Sequence, residues 1–127
     1  MTTLQREDTV LIVDDNLDSC ASLAMLVMLE GYNAVTAANG LEALEYLRRH
    51  GPPRFIILDM MMPVMDGWQF LACKHELAEF AAIPVFVATG REGMLDLDDF
   101  PDIVCVAHKP VAPEKLVDTL KRYVPPH

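Results

Sequence analysis

Five short, almost wholly apolar runs alternate with helical patterns along the chain, and this alternation constrains the fold more than any other feature of the sequence. The runs cover residues 10–13, 34–37, 55–58, 85–88 and 103–107. They do not alternate apolar with polar, so neither face of the strands they form is suited to water. Strands of this kind belong to parallel sheets covered by helices on both sides. Residues 17–30, 41–49, 67–78 and 113–123 carry the helical patterns. Asn39 is placed to N-cap the second helix with Glu42 as its capping-box partner, and Gly31 supplies the left-handed residue that ends the first. Gly51, Pro52 and Pro53 stop the second helix, while Pro113 sits where a first-turn proline is tolerated. Residues 90–102 lack a clean apolar stripe around Gly90, Gly93 and Pro101, so a helix there is expected to be short or irregular.

The expected fold class is α/β, in three layers. Right-handed crossovers leave few strand orders open, and the flavodoxin-like (βα)5 arrangement, a five-stranded parallel sheet in the order 2-1-3-4-5, is the common solution. A chain of 127 residues, 52% of them apolar, reads as one domain with a self-sufficient core over 1–127. Met1 and the short end after Tyr123 read as a whole gene product. A formal charge of -9 speaks against a phosphate-backbone binder, because nucleic-acid affinity rests on Lys and Arg. Cys20, Cys73 and Cys105 lie inside apolar segments and fit neither a disulfide framework nor a zinc site. The longest apolar stretch, 21–29, is far too short to span a bilayer, so a cytoplasmic protein is expected, with neither membrane nor nucleic acid as a partner.

Polar residues interrupt the carboxyl ends of the strands. Asp14 and Asp15 close the first, Asp59 the third, Thr89 the fourth and Lys109 the fifth. In the expected order strand 1 lies beside strand 3, about 4.8 Å away, so three carboxylates gather at the switch point of the sheet. Crowded like charges raise pKa values or require a counter-ion, and a hard divalent cation with oxygen ligands, Mg2+ first, suits them. Lys109 can set a compact positive charge on phosphoryl oxygens and Thr89 can donate a hydrogen bond to another. One aspartate would then attack phosphorus in line, and Asp59, alone at the end of the central strand, is the best candidate.

These residues carry a resemblance. Asp59 to Gly67, DMMMPVMDG, is similar to the phospho-accepting segment of the receiver domains of bacterial two-component response regulators, the CheY-like superfamily. VDDN after strand 1 resembles the acidic pair of that family, Thr89 its hydroxyl residue, and Lys109-Pro110 its lysine-proline pair. The resemblance covers nearly the whole chain. It implies that Asp14, Asp15, Asp59 and the Met61 carbonyl bind Mg2+, that a histidine kinase or histidine phosphotransfer protein phosphorylates Asp59, and that the bond before Pro110 is cis. It implies a switch that binds a downstream protein, catalysing only its own phosphorylation and dephosphorylation. Two departures stand out: Val106 occupies the position where the family usually has a signalling aromatic, and the stretch from Thr89 to Lys109 is short, with Gly90 in place of a usual alanine.

Plainer readings compete at several positions. Asp14 and Asp15 fit a helix start, and Asp59 with Lys109 fits a structural ion pair. Asp66 is expected to cap the third helix rather than to bind an ion. Met60, Met61, Met62 and Met65 have no His or Cys partner at ligand spacing and are expected to fill space. His108 is expected to face solvent. The first helix is apolar around much of its circumference, which fits either a docking surface or deep burial. As whole functions, two alternatives remain: a receiver-like interaction module that works without phosphorylation, and a haloacid-dehalogenase-type phosphatase. The phosphatase would need Asp-x-Asp after strand 1, where Asp14 and Asp15 are adjacent.

Overall fold

The computed structural model describes residues 9–90 and 100–125. In chain order the elements are β1 (Thr9–Val13), α1 (Leu17–Leu29), β2 (Asn33–Ala37), α2 (Gly40–His50), β3 (Phe55–Asp59), α3 (Gly67–Glu76), β4 (Val85–Thr89), β5 (Ile103–His108) and α4 (Pro113–Tyr123). The strands form one parallel sheet in the order β2-β1-β3-β4-β5, the flavodoxin-like order expected from the sequence. Residues 91–99, which hold most of the expected irregular helix, lie outside the described residues.

The apolar runs become strands because both of their faces are covered. Every residue of β1, β3 and β4 is buried. Alternate side chains enter two separate cores. Leu11, Val13, Ile56 and Leu58 meet Leu44 and Leu47 of α2 and Phe70 and Leu71 of α3. On the other face Val10, Ile12, Phe55 and Ile57 meet Leu23 and Val27 of α1 and Leu116 and Leu120 of α4. The β4–β5 ladder shifts register after Val85, which faces Ile103 while Phe86 faces Cys105. That bulge lets Val104 and Cys105 join the same core and turns Val106 toward the α2–α3 side.

Local chemistry sets the helix ends. Asn16 caps α1 by accepting the Ser19 N–H at 2.9 Å, and Gly31 follows its end at φ 94°. Asn39 caps α2, but the Glu42 carboxylate accepts from the Ala38 N–H at 3.2 Å, one residue before the cap expected as its partner. A full capping box forms on α3, where Asp66 and Gln69 exchange bonds of 2.9 and 3.0 Å. This helix closes at Glu76, two residues earlier than its pattern suggests, because Leu77 leaves helical geometry and the chain turns toward Phe80.

Two features have no counterpart in the sequence patterns. Lys74 of α3 is fully buried and donates to the Asp102 carboxylate at 2.5 Å and to the Ala81 carbonyl at 2.9 Å. Burial pushes its ammonium below the usual lysine range, against the hydrogen bond and charge of Asp102. Val64 stands at φ 67° in a γ-turn closed by the Met65 N–H and the Pro63 carbonyl at 2.7 Å. A β-branched residue is strained there, by about 1–3 kcal/mol. Val64→Gly should therefore raise the melting temperature by about 2–5 °C, since relief of strain exceeds the entropy cost of the glycine. A variant melting at or below the wild-type temperature would deny the strain.

Candidate functional site

Asp14, Asp59, Thr89 and Lys109 all stand at carboxyl strand ends, and the sheet order brings them together. Val13 pairs with Leu58, so the residue that follows each, Asp14 and Asp59, faces the same crevice. One carboxylate oxygen from each of Asp14, Asp15 and Asp59 lies within 4.8 Å of the others. Asp14 and Asp59 are buried and Asp15 is exposed. Asp14 is fixed at every polar atom. Its N–H donates to the Ala37 carbonyl at 3.0 Å, its Oδ1 accepts the Asn16 N–H at 2.9 Å, and its Oδ2 accepts Lys109 Nζ at 2.7 Å. The Cys20 thiol closes the set by donating to the Asp14 carbonyl at 3.1 Å.

Asp59 is held more loosely. Its Oδ1 accepts the Met61 N–H at 3.2 Å, and its Oδ2 lies 3.5 Å from Lys109 Nζ. Gly67 makes this loop possible: a Cβ there would sit 2.6 Å from Met60 Cα and 2.9 Å from the Asp59 carbonyl, too close for any side chain. Lys109 is anchored by its own N–H on the Thr89 carbonyl at 2.8 Å, and its bond to Pro110 is cis. Thr89 is buried at the end of β4 opposite the exposed His108. Val106 is half-buried opposite Val87, and Asp66 serves as the α3 cap. Met60 and Met62 are buried in or beside the core, whereas the Met61 side chain is exposed. The sequence gives Asn16 only a place in VDDN and excludes Cys20 only from a disulfide framework or a zinc site, so neither is expected to hold Asp14. Their roles arise from one backbone N–H and one helical thiol, which no spacing rule distinguishes from ordinary capping and packing.

Two of the three carboxylates, those of Asp14 and Asp59, face one ammonium, and the charges show it. Burial lifts the Asp59 carboxyl above the usual carboxylate range, aided by the Asp14 charge and opposed by the Met61 N–H and by Lys109. Burial alone would lower Lys109, but Asp14 and then Asp59 outweigh it and hold the ammonium above its ordinary value. The Cys20 thiol is pushed up by burial and then by Asp14, so it stays a protonated donor. A raised Asp59 means that the folded protein binds its proton more tightly than the unfolded chain. Its contribution to stability is complete below the ordinary carboxylate range and is lost as pH rises through the raised value. Without divalent cations, Asp59→Asn should consequently melt above wild type at pH 7. Thermal melts at successively lower pH should show that gain disappearing, and an unchanged or lower melting point at pH 7 would contradict it.

Beside the carboxylates, α1 and the segment after Lys109 enclose a groove of about 640 Å³, lined in part by Ser22, Leu23, Leu26, Pro110 and Val111. Cys20, Leu23 and Val27 turn inward from α1, while Leu17, Met25, Met28 and Leu29 are exposed, so the apolar circumference of this helix is buried on one side only.

Comparison with known proteins agrees with this architecture. The response regulator receiver domain family matches residues 10–121. Sporulation initiation phosphotransferase F of Bacillus subtilis is 30% identical over 120 residues, covering 93% of this chain and 94% of the relative. The polar-differentiation response regulator DivK of Brucella anthropi is 29% identical over 118 residues, covering 91% and 95%. Among solved structures, the Vibrio cholerae chemotaxis protein CheY4 superposes with a TM-score of 0.77 at 28% identity, over 91% of this chain and 97% of that one. With this family match, this strand order and these acidic strand ends, the chain belongs to the response regulator receiver domains of two-component signalling.

Proposed function

We propose that the chain is a single receiver domain working as a phosphorylation-driven switch, with Asp59 as the acceptor and Mg2+ as its cofactor. The observation that carries this reading is the cluster of Asp14, Asp15 and Asp59 with Lys109 set between two of its members. The donor set suits a hard cation: all of its ligand atoms are oxygens, they are crowded, and the burial of Asp59 makes its charge unfavourable without one. Asp14, Asp15, Asp59 and the Met61 carbonyl would hold Mg2+. When bound, the ion supplies positive charge to the oxygens of the incoming phosphoryl group.

This chain's own residues do the rest. An Asp59 carboxylate oxygen attacks phosphorus, the bond from phosphorus to the donor's histidine nitrogen breaks, and an acyl phosphate forms. Lys109 Nζ, already between Asp14 and Asp59, neutralises the transferred oxygens, and the Thr89 hydroxyl donates to one of them. The donor would be a histidine kinase or a histidine phosphotransfer protein. Its helices fit the exposed apolar residues of α1 and the adjoining groove that Lys109 lines. The Bacillus relative is named for phosphotransfer and the Brucella relative for polar differentiation, which supports a role in relaying or reading such a signal.

Asp14 is engaged at both carboxylate oxygens, which suits a ligand and not the free nucleophile of a dehalogenase-type phosphatase. Val106 favours one second reading, a receiver-like module whose partner binding ignores phosphorylation, because the family's aromatic reporter is replaced by an aliphatic side chain. Acetyl phosphate with Mg2+ should add one phosphoryl group to the wild-type chain and none to Asp59→Ala, as read by intact mass. Modification that survives in Asp59→Ala would refute the assignment.

A further inference from the structure

α3 touches the acceptor loop at one end and the start of β5 at the other. At its first residue the Gly67 N–H donates to the Met60 carbonyl at 3.0 Å, and its missing side chain lets it lie against the Asp59 carbonyl. One residue on, the Trp68 ring packs tilted on Phe100 with centroids 6.1 Å apart. Two turns on, the Lys74 ammonium holds Asp102 and Ala81. Asp102 in turn accepts the Val85 N–H on its carbonyl at 2.9 Å, and Phe100 accepts the Ile103 N–H at 3.1 Å. A displacement at residues 59–60 therefore reaches the start of β5 through one short helix with close contacts at both ends.

A buried ion pair is an expensive way to close a core. An apolar pair of similar volume often serves as well or better, so the charges at 74 and 102 call for a purpose other than stability. The Asp102 Oδ1 atom is buried without a hydrogen-bond partner among the described residues, so the pair is held by one carboxylate oxygen. Val106 meanwhile lacks the aromatic ring that the family usually carries at this position.

We propose that the Lys74–Asp102 pair is a clasp coupling the acceptor loop to the start of β5 through α3, so that occupancy of Asp59 is read at residues 100–103. The inference rests on Asp59 being the phosphoacceptor. By linkage, if occupancy of Asp59 alters the clasp, then altering the clasp must change the affinity of the occupied state.

The test uses beryllofluoride with Mg2+ as the probe on the full chain. Hydrogen exchange in the wild type should change at least about threefold at the Val85 and Ile103 amides when the probe binds. In Lys74→Met with Asp102→Leu, where apolar groups replace both charges and the fold is expected to persist, that response should vanish and probe affinity should shift by about fivefold or more. Unchanged exchange at both amides in the wild type overturns the proposal even if the double variant fails to fold. So does a folded double variant that keeps the wild-type response and affinity. A wild-type chain that does not bind the probe at all would remove the phosphoacceptor reading itself, and the clasp with it, before any variant is considered.

Discussion

Everything distinctive about this molecule follows from the crowding of Asp14, Asp15 and Asp59 at the carboxyl ends of the sheet, with one lysine between Asp14 and Asp59. Taking carboxylates out of water is costly unless a partner compensates them, and Lys109 alone cannot neutralise three. The surrounding structure holds them there regardless. Asp14 is fixed by Ala37, Asn16, Cys20 and Lys109, and Asp59 ends a strand that is buried throughout. Such a pocket suits a hard cation, which would supply the positive charge that the carboxylates lack.

Much of the architecture was legible in the sequence because burial on both faces leaves a plain mark. Wholly apolar runs gave the five strands, and each boundary moved by only a residue or so, as when β3 and β4 extended to include Asp59 and Thr89. The positions of the acidic residues at strand ends could be read for the same reason, since a polar residue closing an apolar run stands out. What could not be read depends on contacts between distant elements. Lys74 lies in a helix whose pattern says nothing about a buried ammonium, and its partner is 28 residues away. Val64 looks ordinary until its φ is known. Glu42 found the right segment but a neighbouring N–H, because capping geometry is set by backbone details below the resolution of spacing rules.

The two faces of the sheet carry different helices. On one side α1 presents an exposed apolar stripe next to the groove that Lys109 lines, on the approach to the carboxylates. On the other side α3 starts against the Asp59 carbonyl and ends at a buried charge pair beside the first residue of β5. In the proposed switch, donor contact and signal output would use different helices, with the Asp59 loop between them. Val106, aliphatic and turned into the α2–α3 core by the β5 bulge, makes a route through that layer physically economical.

The dependence of the pocket on a cation is open to one direct measurement, thermal melting across a magnesium titration of the wild type and of Asp15→Asn. Asp15 is exposed, so its replacement would remove a proposed ligand without opening the core. An ion that binds only the folded chain must stabilise it, by about 2.7 kcal/mol at a hundredfold excess over its dissociation constant. The wild-type melting point should therefore climb with magnesium and that of Asp15→Asn should climb far less. A wild-type melting point that ignores millimolar magnesium would mean that the three carboxylates are not a metal site.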